Sequence, residues 1–154
     1  MPIPDFVAEL RSLVGSHPLW LPGTTAVIRR DDQVLLVKRA DNGRWTPVTG
    51  IVDPGEHPAE CAVREAREET GVEIRVDRLA GVWVVDGVTY ENGDRAAYVD
   101  VTFACTWLSG EPHVADDEST DVRWWPADAL PEMPGSMGER VAAALSDELA
   151  ARFS

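Results

Sequence analysis

Positive charge is scarce in this chain: Lys and Arg number 14 against 27 Asp and Glu over 154 residues, a formal net charge of −13. Nucleic-acid polymers and anionic membranes are held mainly through Lys and Arg, so neither is expected as a partner. An anionic substrate remains admissible if the site brings its own positive charge, as arginines or metal ions. Cysteine is scarce too. Cys61 and Cys105 stand in no metal-type or redox-type spacing, and small buried core residues are the expected reading. No apolar run approaches the length of a membrane span. The start, "MPIPDFVAEL", has neither the basic residues nor the apolar run of a secretory signal, so a cytoplasmic protein is expected. There is no internal repeat, low-complexity tract or linker. At 44% hydrophobic and 27% charged, the chain suits one soluble domain over residues 1–154.

Residues 4–15 place Phe6, Leu10 and Leu13 at helical spacing, with Asp5 as a cap and Gly15 as a stop. With the Pro-rich connector "SHPLWLPG" they make an N-terminal stretch over 1–22. "TTAVIRRDDQVLLVKR" reads as two strands around Asp31-Asp32, with Val27, Leu35 and Val37 facing a core. A helix is expected from Pro58, with His57 as its cap, to Gly71, a residue suited to a left-handed stop. "VEIRVDRLAGVWVV" is β-rich, "AAYVDVTFACTW" alternates as a half-buried strand, and "DVRWW" is a further strand. Residues 136–153 read as a C-terminal amphipathic helix on Val141, Leu145 and Leu149. This order gives a mixed sheet flanked by helices, an α/β fold.

On a helical wheel for residues 57–71, Ala59, Ala62, Val63, Ala66 and Thr70 form a narrow stripe of small side chains that meets the sheet. Glu65, Glu68 and Glu69 crowd one flank, while Glu60, Arg64 and Arg67 take the other. Like charges three and four residues apart repel by about 0.2–0.5 kcal/mol per pair. Glu65 and Glu69 have no basic neighbour on their own side of the helix, and they border the apolar stripe. Clustered carboxylates at a shielded edge take up protons or hold a cation. An all-oxygen donor set points to Mg²⁺, with Mn²⁺ as a substitute.

Gly50, Glu56, Arg64, Glu65, Ala66, Glu68, Glu69, Gly71 and Val72 fill every fixed position of G-x5-E-x7-R-E-U-x-E-E-x-G-U, with U apolar. The chain thereby resembles the Nudix hydrolase family, MutT-like members included, from about Thr24 to Leu130. That resemblance implies an α/β/α sandwich and a Mg²⁺-dependent pyrophosphohydrolase. Its substrate would be a nucleoside diphosphate linked to another group X, cleaved by water attack on the pyrophosphate. It implies Glu65 and Glu69 as metal ligands, and Glu68 as a further ligand or the general base. The Thr49 carbonyl would complete the shell. Gly50 and Gly71 would be structural in the box, and Glu56 and Arg64 a structural ion pair. Glu118, in the acidic loop before "RWW", is expected as one more metal-binding or catalytic carboxylate, in preference to Asp116 and Asp117.

Where many members have Pro-Gly-Gly before the box, this chain has "PVTG", which puts the local loop shape in question. A catalytically silent Nudix domain that binds a nucleotide is the alternative, although such domains usually lose box carboxylates. Trp20, Trp45 and Tyr90 lie near loops as candidate nucleobase contacts, and Arg29, Arg39 and Arg44 as candidate phosphate contacts. Trp83 and Trp107 belong to the core on this reading. The substrate-binding residues and the identity of X are not assigned. The oligomeric state is open, with a homodimer one option.

Overall fold

β-Branched and aliphatic residues dominate the middle of the chain, where they pair into one mixed sheet. The computed structural model describes residues 3–154. Its elements run α1 (Asp5–Val14), β1 (Leu19–Arg30), β2 (Gln33–Arg39), β3 (Trp45–Thr46), β4 (Val48–Ile51) and α2 (Pro58–Thr70). They continue as β5 (Glu73–Thr89), β6 (Arg95–Ser109), β7 (Ser119–Pro126) and α3 (Met137–Leu145). The strand order is β3-β2-β1-β6-β5, with β4 also on β1 and β7 also on β2. β1 and β6 run parallel, from Leu19↔Ala96 to Arg29↔Thr106, and the other pairs are antiparallel.

Helices cover both faces of this sheet. Ala26, Ile28, Leu35 and Val37 pack with Ala62 and Ala66 of α2. Val27, Val34 and Leu36 pack with Val141, Ala143 and Ala144 of α3. The continuous run "VLLV" is therefore buried on both sides. Each such side chain contributes about 1.5–3 kcal/mol on burial. This α/β/α layering is the one the sequence implied. No helix among the described residues is long and apolar enough to cross a membrane.

The ends depart from expectation. In α1, Pro4 holds the cap position and Asp5 is the first helical residue. The buried side chain is Val7, whereas Leu10 and Leu13 are 36% and 76% exposed. Val7 fits against Leu21 and Ala96, and the later leucines reach past that contact. The expected connector is partly strand, since pairing of β1 with β6 starts at Leu19. Residues 1 and 2 of the expected N-terminal stretch lie outside the described residues.

The C-terminal helix stops at Leu145 instead of running to 153. A guanidinium Nη2 of Arg78, on β5, donates to the carbonyls of Ala143 and Ser146, both at 2.9 Å. A cation on the last carbonyls satisfies the helix end and its dipole. The chain then turns to the sheet edge, where the Arg152 N–H donates to Ala80 O at 2.9 Å and the Val82 N–H donates to Arg152 O at 2.8 Å. Leu149 is 88% exposed and takes no part in the core.

Candidate active site

α2 is fixed at both ends by local chemistry. Pro58 opens it, and the Glu60 carboxylate accepts the His57 N–H at 3.1 Å. Gly71 closes it in the left-handed region at φ 73°, where any Cβ would also strike the His113 ring. Just upstream, the loop from Asp53 to His57 is clamped by one ion pair. Arg64 Nε and Nη2 donate to the two carboxylate oxygens of Glu56 at 2.7 and 3.0 Å. Nη2 also donates to the Ile51 carbonyl at 3.2 Å, and Glu56 accepts the Asp53 N–H at 3.0 Å. The Arg64 guanidinium beside Glu56 holds that carboxyl below its ordinary range.

Glu65 and Glu69 lie one turn apart and are each 3% exposed, deeper than the wheel suggested. Burial is the main force that raises Glu65, to about 7, with the Glu68 and Glu118 carboxylates adding to it. Glu69 is raised well above 4.5, first by burial and then by the Glu118 and Glu65 carboxylates. One expectation needs correcting. Arg64 does reach Glu65, with Nη1 at 2.9 Å from Oε1, because its long side chain crosses the helix surface that the wheel treats as a divide. The same Nη1 donates to Glu68 at 3.2 Å. Glu68 itself is largely exposed, at the rim.

Gly50 explains its own place in the box. A Cβ there would come within 2.3 Å of the Glu65 carboxyl group, so glycine lets that side chain lie directly against β4. Thr49 pairs with Thr25 in the β1–β4 ladder, extended backbone that any residue adopts. Thr49 therefore needs none of glycine's conformational freedom at this position.

The acidic loop reaches the helix through the backbone. The His113 N–H donates to Thr70 O at 3.0 Å, and the Ala115 N–H donates to Glu69 O at 3.1 Å. These bonds satisfy carbonyls that the end of α2 would otherwise leave open. Farther on, the Glu118 N–H donates to the Asp116 carboxylate at 3.0 Å, and Glu118 O accepts from Ala40 at 2.8 Å. The Glu118 carboxyl lies close enough to that of Glu69 to raise it, and burial raises Glu118 itself. The backbone bonds tether the segment as a strap between α2 and Ala40.

Asp53 and Asp116 join Glu65, Glu68 and Glu118 around a cleft of about 430 Å³. Residues Ile3 to Phe6 also line it, a placement for which no local sequence signal exists. The sequence points to neither Asp53 nor this N-terminal lining of the cleft, whereas Asp116 and Arg39 are among its candidates. Arg39 lies near Glu69 and Glu118, its positive charge felt by both, while it grips Asp41 at 2.6 and 2.9 Å. Other candidates stand elsewhere. Trp45 packs edge-on against Trp125 at 5.3 Å in the core facing α3. Arg29 bonds the Asp31 carbonyl at 2.7 Å, and Arg44 is exposed. Trp83 and Trp107 pack half-buried against the two core clusters, close to the core placement expected.

Among the described residues, no three acidic, His or Cys side chains are already gathered around one ion-sized point. The donor chemistry nevertheless fits a hard divalent cation. Two carboxylates are buried together and pushed toward protonation, with Arg64 and Arg39 as their basic neighbours. A hard cation facing oxygen donors relieves that repulsion.

The chain matches the NUDIX domain family over residues 20–145. It is 37% identical over 123 residues to a MutT-like protein of Streptomyces ambofaciens, covering 80% of this chain and 72% of that one. It is 32% identical over 120 residues to the NAD-capped RNA hydrolase NudC of Pseudomonas aeruginosa, covering 77% of this chain but only 40% of that protein's length. Among solved structures, an ADP-ribose pyrophosphatase from Streptococcus suis superposes with a TM-score of 0.66 at 25% identity, over 87% of this chain and 98% of that one. The box geometry and these likenesses agree: the chain belongs to the Nudix family, hydrolases of diphosphate bonds.

Proposed function

We propose that this protein is a Mg²⁺-dependent pyrophosphohydrolase, with Mn²⁺ as a substitute, acting on a small nucleoside diphosphate linked to another group X. The burial of Glu65 and Glu69 side by side carries this reading. Two charged carboxylates in that setting are costly to the fold and are accounted for by a positive partner. Relatives whose names specify NAD-capped RNA and ADP-ribose support a nucleotide derivative as substrate. The chain's own acidity supports a small molecule over a polymer. The cytoplasm is the proposed compartment, where free thiols such as Cys61 and Cys105 persist.

Glu65 and Glu69 would hold the cation, with Glu68, Glu118 and the Thr49 carbonyl as further donors. When bound, such an ion neutralises the diphosphate and lowers the pKa of an attached water. The residues of the chain do the rest. Arg64 keeps Glu65 against β4 and ties the Asp53–His57 loop to α2. Glu118, held over α2 by the strap, or Glu68 at the rim takes the proton from the attacking water. The water oxygen bonds to phosphorus as the bridging P–O bond breaks, and the phosphate leaves with that electron pair.

A screen of nucleoside diphosphate derivatives with Mg²⁺, read as phosphate release after a phosphatase is added, tests this reading. Turnover that disappears in EDTA supports it. A non-hydrolysable nucleotide should also raise the melting temperature far more with Mg²⁺ than without. Equal shifts, with no turnover, would mark a silent nucleotide binder instead.

A further inference from the structure

A second pocket of about 200 Å³ lies beside the acidic cleft, and Ile3, Pro4 and Ile51 border both. Val7 from α1, Leu21 from β1, and Ala96 and Tyr98 from β6 wall this second pocket. Val7, Leu21 and Ala96 are buried and belong to one apolar cluster, with Tyr98 half-buried against it. The walls are held in place. Arg11 of α1 donates to the Arg95 carbonyl, at the start of β6, at 2.7 Å, so helix and hairpin are stapled across the pocket. The Tyr98 hydroxyl is hydrogen-bonded to that of Tyr90, whose ring also lines the pocket.

Two adjoining pockets therefore have two chemistries. The first is carboxylate-lined and suits a cation-bound diphosphate, and the second is mostly apolar, with Arg11, Asn92 and Asp94 also on its lining. A nucleoside diphosphate has the same division, a charged diphosphate and a planar, uncharged base. Small-molecule sites are mostly apolar with a few fixed polar groups, as this pocket is. We propose that the pocket between α1 and the β5–β6 hairpin receives the nucleobase, with the Tyr98 ring as its stacking face and α1 as its outer wall. Stacking on an aromatic face serves any base, so the shape set by Ala96 and Val7 decides which base is preferred. The proposal rests on the pyrophosphohydrolase reading.

Steady-state kinetics with Mg²⁺ on four probes, ADP-ribose, GDP-mannose, CDP-choline and UDP-glucose, test it. On the probe that wild type cleaves best, Tyr98→Ala and the pocket-filling Ala96→Leu should raise KM at least tenfold, with kcat within about threefold. Tyr98→Phe keeps the stacking face and should restore KM. Tyr90→Ala, at a position 42% exposed, should leave the fold intact and raise KM severalfold. Unchanged KM in these variants, shown folded by circular dichroism, overturns the base pocket and leaves the hydrolase reading standing. If Tyr98→Ala and Ala96→Leu fail to fold, an unchanged KM in Tyr90→Ala overturns it alone. A wild-type chain that cleaves none of the four overturns both readings.

Discussion

The Ala115 N–H donates to the carbonyl of Glu69 across 3.1 Å, so the strap that carries Glu118 hangs from the residue whose carboxylate Glu118 faces. This bond sets the height of Glu118 over α2. Glu118→Gln should then lower kcat ten- to a thousandfold at modest change in KM, roughly the range for lost proton transfer or electrostatic help. Asp116→Asn should do little, since its carboxylate serves the Glu118 N–H and an amide oxygen accepts as well. Wild-type rates in Glu118→Gln across the pH range would move the base to Glu68.

Glu69→Gln replaces a buried carboxylate by an amide of the same size. The fold should persist and kcat should fall by about a hundredfold or more, as a ligand to developing charge is lost. In EDTA the variant should melt slightly higher than wild type, because repulsion from Glu65 and Glu118 is relieved. Activity assays and thermal melts on one preparation check both halves.

Gly50→Ala separates structure from chemistry. The new methyl would collide with the Cγ and carboxyl of Glu65, a buried side chain that must shift to make room. The melting temperature should fall modestly, whereas kcat should drop about tenfold or more, because an ångström of misplacement in a reacting group costs up to about a hundredfold. A variant as active as wild type would mean that Glu65 is not held against β4 during turnover.

The metal-free protein should lose stability as pH rises from 5 to 8. Glu65 titrates near 7 in the folded chain against an ordinary 4.5, so folding favours its protonated form. Its contribution is fully present below about 4.5 and is lost as pH climbs through about 7. Glu69 shifts in the same direction and adds to the fall. Glu56 and Asp41, held low by Arg64 and Arg39, act with the opposite sign but below about 4.5, outside this window. Melts in EDTA against melts in Mg²⁺ should diverge with rising pH. A flat metal-free profile would contradict the burial of the pair.

What the sequence made legible was local or periodic. Pro58, His57 and Gly71 mark the ends of α2 because capping is decided within a few residues, and the VLLV run announces a strand covered on both faces. The acidic flank of α2 was readable for the same reason. Long-range choices were not. Arg78 stops α3 from a strand far away in the chain, so periodicity through Leu149 overran the true end. Trp45 looked like a loop residue until Trp125 came against it. Residues Ile3 to Phe6 became a cleft wall only through the docking of Val7 on Leu21 and Ala96.

The two backbone bonds between Arg152 and β5 bear on colloidal behaviour rather than catalysis. An outer strand with unpaired N–H and C=O groups is a template on which a second chain can zip. β5 is such a strand, with Val84 67% exposed farther along it. By occupying Ala80 and Val82, the tail closes the middle of that edge. Damage to the last residues should thus appear first as clumping at high protein concentration, with kcat untouched.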